Sequence, residues 1–165
     1  VADSKIEGPL VSSDISGLIG QYAHGNEPSH HIVHLYNYVN QSWKTQQLID
    51  TILHTQYFNN PNGLSGNEDC GQMSAWYVLN AMGFYQVCPG SPIYSVGRPI
   101  FDKVTINLPN GKVFEIIANN NSRTNKYIQS IRLDNILLES PFFMHSDIMK
   151  GGKIVMEMGN TPVKQ

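Results

Sequence analysis

The chain has 165 residues, of which 41% are hydrophobic, and a formal net charge of −2 at pH 7. This is enough apolar material to bury one real core or two small ones. The small net charge does not suggest nucleic acid or an anionic membrane surface as a partner, and no apolar run is long enough to span a membrane.

The charge is distributed unevenly along the chain. Residues 1–90 contain seven acidic and two basic residues, a net charge of −5, whereas residues 91–165 contain six acidic and nine basic residues, a net charge of +3. Five of the six histidines lie in the first region, which is therefore the better candidate for a functional site. The only cysteines, Cys70 and Cys88, are too few for a disulfide framework and are not spaced as zinc ligands, so two buried thiols are predicted.

Two amphipathic helices are predicted in the first region. Ser29 follows Pro28, which fixes the backbone, and is a natural N-cap for a helix over residues 30–40. Apolar residues at helical spacing define the core face of this helix: Ile32, Leu35, Tyr36 and Val39. Ser42 is the predicted cap of the next helix, whose core face is Leu48, Ile49, Ile52 and Leu53.

A third, strongly apolar helix follows an acidic loop. Residues 73–82 are apolar on nearly every face, which predicts a buried helix, and Gly83 is its predicted C-terminal stop. Asn67 is the predicted N-cap, so Glu68 and Asp69 are expected in the first turn, where the helix dipole tolerates negative charge. Capping alone would explain these residues. If the buried helix begins at a cleft, however, either carboxylate could take a proton from water as a general base.

The pattern changes to strands after Gly83. Residues 104–108 and 114–118 alternate apolar and polar side chains around Asn110-Gly111, which predicts a β-hairpin. Two further strands are predicted over residues 127–133 and 153–158. The predicted fold class is therefore α+β, with a helical part over residues 1–88 and a β-rich part over residues 89–165. Tandem helices with short loops favour a bundle or a toroid for the helical part.

A second polar motif precedes the helix predicted over residues 30–40. Asn26 and Glu27 offer one neutral and one anionic oxygen, which suit a hard cation such as Ca²⁺. His30 and His31 are adjacent, so they point about 100° apart on a helix and cannot bind one zinc ion as an i, i+4 pair would. One of them can hydrogen-bond a ligand. The competing interpretation is an ordinary loop before a helix, with an exposed glutamate.

These motifs form part of a longer set that occurs in one order along the chain: residues 25–31 (GNEPSHH), 35–38 (LYNY), 43–46 (WKTQ), 63–78 (GLSGNEDCGQMSAWYV), 97–103 (GRPIFDK) and 147–152 (DIMKGG). In this order they resemble glycoside hydrolase family 92. That family consists of calcium-dependent, inverting exo-α-mannosidases, many of which act on α-1,2 linkages. The resemblance spans nearly the whole chain.

The resemblance implies that this chain is the carboxy-terminal portion of a longer protein. Family members carry an amino-terminal β-sandwich and an (α/α)₆ toroid as the catalytic domain. The chain would then hold the last toroid helices and a closing antiparallel β region. The missing amino-terminal part of the same protein would supply the general acid, so the chain alone is expected to be inactive. The family also implies an α-mannoside glycan as substrate and a periplasmic, cell-surface or secreted location in a bacterium.

The resemblance also assigns roles to individual residues. It implies that Asp69 is the general base, with Glu68 beside it as a helper or second candidate. Asn26 and Glu27 match the stretch that supplies calcium ligands, while His30, His31 and Asn67 are expected to bind the sugar. Two alternatives stay open on the sequence alone: a non-catalytic module that binds sugar and calcium, and a purely structural, truncated piece.

Overall fold

The computed structural model describes residues 15–164. In that range the helical elements are two 3₁₀ helices, Glu27–Ser29 and Ile32–Val39, and the α-helices α1 (Ser42–Thr55), α2 (Gln72–Met82) and α3 (His145–Lys150). The strands are β1 (Leu18–Ile19), β2 (Tyr22–Ala23), β3 (Phe84–Tyr85), β4 (Ile93–Val96), β5 (Lys103–Asn107), β6 (Val113–Asn119), β7 (Tyr127–Leu133), β8 (Ile136–Leu137), β9 (Phe142–Met144) and β10 (Gly152–Gly159). Mixed helices and strands agree with the predicted α+β class, and the toroid stays a prediction.

A five-stranded sheet, ordered β5-β6-β10-β7-β8, forms the larger β unit. The predicted hairpin is confirmed, because β5 and β6 pair antiparallel around Asn110-Gly111. β10 pairs antiparallel with β7 but parallel with β6, so the sheet is not antiparallel throughout as expected. The chain reaches β10 through α3, and a crossover of this kind permits a parallel pair. Ile154, Met156 and Met158 of this central strand are buried in the sheet core.

A smaller apolar core lies among the helices. The predicted core face of α1 is confirmed, since Ile49, Ile52 and Leu53 are buried there beside Trp76 of α2. Strand β3 contributes to both cores: Phe84 packs in the sheet core, while the next residue, Tyr85, packs in the helical core. Successive strand side chains point to opposite faces, so this short strand joins the two parts of the molecule.

The predicted core face of the Ile32–Val39 helix is wrong. Ile32, Leu35 and Val39 are 41%, 44% and 59% exposed, whereas His34 and Asn37 are buried. The helix is 3₁₀ rather than α, and Ser29 ends the preceding 3₁₀ helix instead of capping this one. The polar face points inwards because it finds hydrogen-bond partners there.

Those partners form a buried polar chain that crosses the molecule. The ring of His34 lies 2.9 Å from Asn80 Oδ1 on α2 and 3.0 Å from Ser95 Oγ on β4. Asn37 donates to the same Ser95 Oγ at 2.7 Å and to the carbonyl oxygen of Val96 at 2.8 Å. Because buried polar groups are costly when unpaired, these bonds determine the rotation of the 3₁₀ helix against α2 and β4.

The predicted burial of both thiols is wrong. Cys70 and Cys88 are free and exposed. Each lies in an irregular segment beside α2 or β3 rather than within the apolar helix, so neither thiol is enclosed by the core. The helix itself is also less buried than predicted, since Val78 is 52% exposed.

Candidate active site

The acidic loop does not form the first turn of a helix, as was predicted. Asp69, Cys70 and Gly71 have φ angles of 40°, 59° and 86°, which a right-handed helix excludes. Helix α2 therefore begins at Gln72 with Gly71 at the N-cap position, and the prediction of Asn67 as the cap is wrong. Left-handed conformations of non-glycine residues are costly and cluster at functional sites.

Glu68 and Asp69 have different surroundings. Glu68 Oε1 accepts a hydrogen bond from the Ser74 N–H at 3.0 Å, and Oε2 accepts one from the Ser74 hydroxyl at 3.0 Å. Glu68 thus caps the first turn of α2 from the preceding loop. Asp69 is exposed, and its side chain bonds to no residue in the described range. Of these two residues, Asp69 is the one whose carboxylate is open to solvent and ligands.

Two glycines hold the polar motifs together. A Cβ on Gly66 would lie 2.4 Å from the carbonyl oxygen of Gly25, and a Cβ on Gly25 would lie 3.0 Å from the carbonyl oxygen of Ser65. Gly66 also has a φ of +83°, which side chains rarely adopt. Backbone therefore contacts backbone at the residue before Asn26 and the residue before Asn67. This contact places the two motifs side by side, and no local pattern in the sequence predicts it.

A groove of about 520 Å³ opens between the two motifs. Four of the residues with predicted roles line it: Glu27, His30, His31 and Asp69. Gln72 at the start of α2 and Tyr85 on β3 line it as well, and neither was predicted as a site residue. The other residues with predicted roles, Asn26, Asn67 and Glu68, flank these positions in the chain and do not line the groove.

His30 is held uncharged in one tautomer. Its Nε2 lies 3.0 Å from the carbonyl oxygen of His24, which can only accept, so Nε2 carries the proton. Burial lowers the pKa of the ring, and the hydrogen bond to His24 and the charge of Glu27 only partly oppose this effect. The unprotonated Nδ1 receives a hydrogen bond from the amide of Gln72 at 3.2 Å. His30 is 1% exposed, so it forms the back of the groove wall.

His24 supports His30 from behind. The two rings stack with centroids 4.9 Å apart, and the hydroxyls of Tyr22 and Tyr57 lie 2.8 Å and 2.6 Å from the two ring nitrogens of His24. Burial, followed by the electrostatic interaction between the two rings when both take up protons, lowers the pKa of His24 to about 3. The ring is therefore neutral at pH 7, and the network holds the groove wall in place.

Glu27 offers an oxygen without a partner. Its Oε1 is buried and has no hydrogen-bond donor among the described residues. The Asn26 side chain makes no capping bond to the 3₁₀ turn, so its oxygen is also unused there. A buried anionic oxygen is unfavourable unless a cation or a polar ligand compensates it, so this pair fits Ca²⁺. Between residues 15 and 164 no cluster of three or more His, Cys, Asp or Glu side chains could hold a metal by itself.

A family comparison agrees with these observations. The profile of the glycosyl hydrolase family 92 catalytic domain matches residues 3–160 of the chain. The chain belongs to glycosyl hydrolase family 92. The resemblance carried by the motifs is thereby confirmed.

Solved family 92 structures are similar to this chain. A family GH92 α-mannosidase from Bacteroides thetaiotaomicron is 44% identical with a TM-score of 0.85, and the match covers 90% of this chain and 20% of that one. The same enzyme in complex with mannoimidazole matches with a TM-score of 0.86, 44% identity and coverage of 91% and 20%. A family GH92 inverting mannosidase from B. thetaiotaomicron VPI-5482 matches with a TM-score of 0.81, 43% identity and coverage of 87% and 19%.

A curated relative is more distant. It is an uncharacterised secreted glycosidase of Arthroderma benhamiae, 27% identical over 138 residues, which are 82% of this chain and 18% of the relative. The chain therefore spans about a fifth of the length of the relatives it matches. Within residues 15–164, no helix is long and apolar enough to cross a membrane.

Proposed function

We propose that this family 92 chain is the carboxy-terminal part of a calcium-dependent, inverting exo-α-mannosidase that removes terminal mannose, of the α-1,2 type, from glycans. The groove carries the proposal, because it brings the open carboxylate of Asp69 to Glu27 and the His30-His31 pair. Relatives named as an α-mannosidase and an inverting mannosidase support the reaction and its stereochemistry. A relative named as secreted supports a periplasmic, cell-surface or secreted location.

The missing amino-terminal part of the same protein is a proposed partner of the helical surface. Apolar side chains are exposed there on two elements, Ile32 and Leu35 on the 3₁₀ helix and Val78 on α2. A surface that packs against further protein carries exposed apolar side chains when that protein is absent. The length of the relatives supports the same conclusion.

Asp69 is the proposed general base. In an inverting glycosidase one carboxylic acid protonates the leaving oxygen, while a carboxylate about 6.5–9.5 Å away takes a proton from water on the opposite face of the sugar. Asp69 is suited to the second role because its carboxylate is exposed at the groove. Glu68 is the weaker candidate, since Ser74 binds both of its oxygens. The general acid is proposed to lie in the amino-terminal part of the protein.

Glu27 and Asn26 are proposed to hold the calcium ion, on the strength of the unpaired Glu27 oxygen. When bound, Ca²⁺ would hold mannose hydroxyls and favour a distorted ring. Because calcium takes about six to eight oxygens, backbone carbonyls, water and the sugar must supply the rest. His31, at the groove, and Asn67, beside it, are proposed to bind the sugar. His30, predicted with them, has both ring nitrogens bonded to His24 and Gln72, so its proposed role is to hold the groove wall against the sugar.

The test is a chimera in which this chain replaces the corresponding segment of the 44% identical B. thetaiotaomicron α-mannosidase. We expect the chimera to hydrolyse an aryl α-mannoside, to lose activity in excess chelator and to recover it with calcium. The isolated chain should be inactive, because general-acid assistance is worth about 10²–10⁴-fold in rate. A folded but inactive chimera would contradict the proposal, and robust turnover by the isolated chain would contradict the location of the acid.

A non-catalytic module that binds sugar and calcium is the second candidate. In the described part of the chain, Glu27 and Asp69 are the only carboxylates that line the groove. Both already have other proposed roles, so neither is left to act as the general acid, and this observation favours the non-catalytic module. The isolated chain can be titrated with calcium in a calorimeter, with and without mannoimidazole. Calcium is expected to bind more tightly in the presence of the sugar mimic, because an ion that helps to bind the sugar must itself be bound more tightly when the sugar is present. Binding in the isolated chain together with an inactive chimera would favour the module.

A further inference from the structure

The amide of Gln72 connects His30 to Tyr85 on the wall of the groove. Its Nε2 lies 3.2 Å from His30 Nδ1 and 3.0 Å from the hydroxyl oxygen of Tyr85. Gln72 is the first residue of α2, and Tyr85 lies on β3, so two elements of regular structure position the pair.

The partners determine which way the amide faces. His30 Nε2 donates to the carbonyl of His24, so Nδ1 of the neutral ring can only accept. A donor must face Nδ1, and this places the NH₂ group of Gln72, rather than its oxygen, between His30 and Tyr85. The two N–H groups of the amide are then both used, one on each neighbour.

Two hydrogen-bonding positions are left over at the groove. The Tyr85 oxygen accepts from Gln72, so its own proton points elsewhere, and no described residue accepts it. Burial raises the pKa of this hydroxyl, although the bond from Gln72 opposes the effect, so the proton stays in place at pH 7. The Gln72 Oε1 likewise has no donor in the described range. A donor and an acceptor therefore stand side by side, and a hydroxyl group can satisfy both.

We propose that Gln72 and Tyr85 together bind one hydroxyl group of the mannoside, with Tyr85 as donor and Gln72 as acceptor. This rests on the proposed function, which places the mannoside in this groove. The pair would determine specificity. A sugar that lacks this hydroxyl would leave the polar groups of Tyr85 and Gln72 unpaired, and the site would therefore bind it less well.

The first test concerns the amide orientation and needs no substrate. In the 165-residue chain, ¹⁵N NMR of the imidazole rings is expected to show His30 protonated only at Nε2 at pH 7. Gln72→Met should shift the Nδ1 resonance of His30, whereas the same substitution at Gln129 on β7 should not. A proton on His30 Nδ1 would overturn the proposal, because the Gln72 oxygen would then face the ring.

The second test uses the chimera and a series of α-mannosides that each lack one hydroxyl group. Tyr85→Phe is expected to lower kcat/KM on the complete sugar by about 3- to 10-fold, the usual effect of one neutral hydrogen bond. The loss should disappear on the single deoxy-mannoside whose missing hydroxyl the pair binds. The loss of kcat/KM caused by Gln72→Met should disappear on the same deoxy-mannoside. Tyr94→Phe is the control, because the Tyr94 hydroxyl lies 3.1 Å from His145 Nδ1 and Tyr94 does not line the groove.

The outcomes separate the two proposals. An equal loss on every deoxy-mannoside would overturn the hydroxyl assignment and leave the mannosidase proposal intact. A folded chimera without activity before any substitution would overturn the proposed function, and the hydroxyl assignment with it.

Discussion

Asp69 and Glu68 are neighbours in the chain, but their carboxylates have different tasks in the folded protein. Both oxygens of Glu68 accept hydrogen bonds from Ser74, so this side chain caps the first turn of α2. The left-handed backbone at Asp69 turns the chain before that helix and leaves the second carboxylate at the groove. One of the two therefore stabilises the helix, and the other can take part in chemistry.

Substitution of each carboxylate by its amide should separate these tasks. In the chimera, Asp69→Asn is expected to lower kcat by about 10²–10⁴-fold, because the amide cannot take a proton from water. Glu68→Gln should affect activity less and lower the free energy of unfolding by about 1 kcal/mol, a typical cost for a weakened cap. Steady-state kinetics and urea unfolding measure the two effects. If Glu68→Gln abolishes turnover while Asp69→Asn is tolerated, the assignment is reversed.

The contact between Gly25 and Gly66 can be tested with a matched pair of alanine substitutions. Gly66 and Gly90 have similar φ angles of +83° and +85°, but a Cβ meets the Gly25 backbone only at Gly66, while Gly90 has nothing within 4 Å. Gly90→Ala should cost about 1–2 kcal/mol of stability from its left-handed backbone alone. Gly66→Ala should cost about 2 kcal/mol more, because the two motifs are forced apart. Equal losses in urea unfolding would show that the contact does not hold the motifs together.

Pairs of elements are joined by buried polar side chains as well as by apolar packing. Arg98 follows β4 and is 2% exposed. Its Nε lies 3.1 Å from Asp50 Oδ1 on α1, an ion pair although the N–H is not aligned for a hydrogen bond. The same guanidinium donates to the carbonyl oxygens of Pro99 and Ser122 at 2.6 Å and 2.9 Å. Arg98 thereby connects α1 to the segments that surround β5 and β6.

Loss of this guanidinium should destabilise the chain strongly. Arg98→Met is expected to lower the free energy of unfolding by about 3 kcal/mol, because removing one partner leaves a buried charge uncompensated. The low end of the usual range applies, since Lys126 Nζ also lies 3.3 Å from Asp50 Oδ2. Arg123→Met is the control at an exposed arginine and should change stability little. Similar urea midpoints for the two variants would contradict the role given to the ion pair.

The molecule as a whole buries several histidines in their neutral form. His24, His30 and His34 are each 0–1% exposed. Burial lowers the pKa of His24 to about 3 and that of His34 to about 4, the latter in spite of the hydrogen bond to Asn80. These rings connect the groove wall, the helical core and β4, so their protonation affects the whole fold.

Stability should therefore fall in mild acid. Below the ordinary histidine pKa of 6.5 the unfolded chain binds protons, while the folded chain binds none at His24 or His34 until the pH approaches their lowered values. The unfolded state is then favoured, by up to about 1.4 kcal/mol per pH unit for each ring. Urea midpoints are expected to fall progressively from pH 7 to pH 4. His34→Gln should reduce this pH dependence by one ring's share, and the exposed His145→Asn should not. An unchanged slope in His34→Gln would contradict the prediction.

Local patterns were sufficient to predict helix α1, the hairpin of β5 and β6, the strands β7 and β10, and membership of the family. Side-chain periodicity, turn residues and motifs act over a few neighbouring positions, and one sequence contains them in full. Tertiary contacts decided the rest. The Ile32–Val39 helix turns its polar face inwards because Asn80 and Ser95 form hydrogen bonds with His34 there. The groove formed because Gly25 and Gly66 meet, 41 positions apart in the numbering, and such contacts between distant residues leave no periodic signal in the chain.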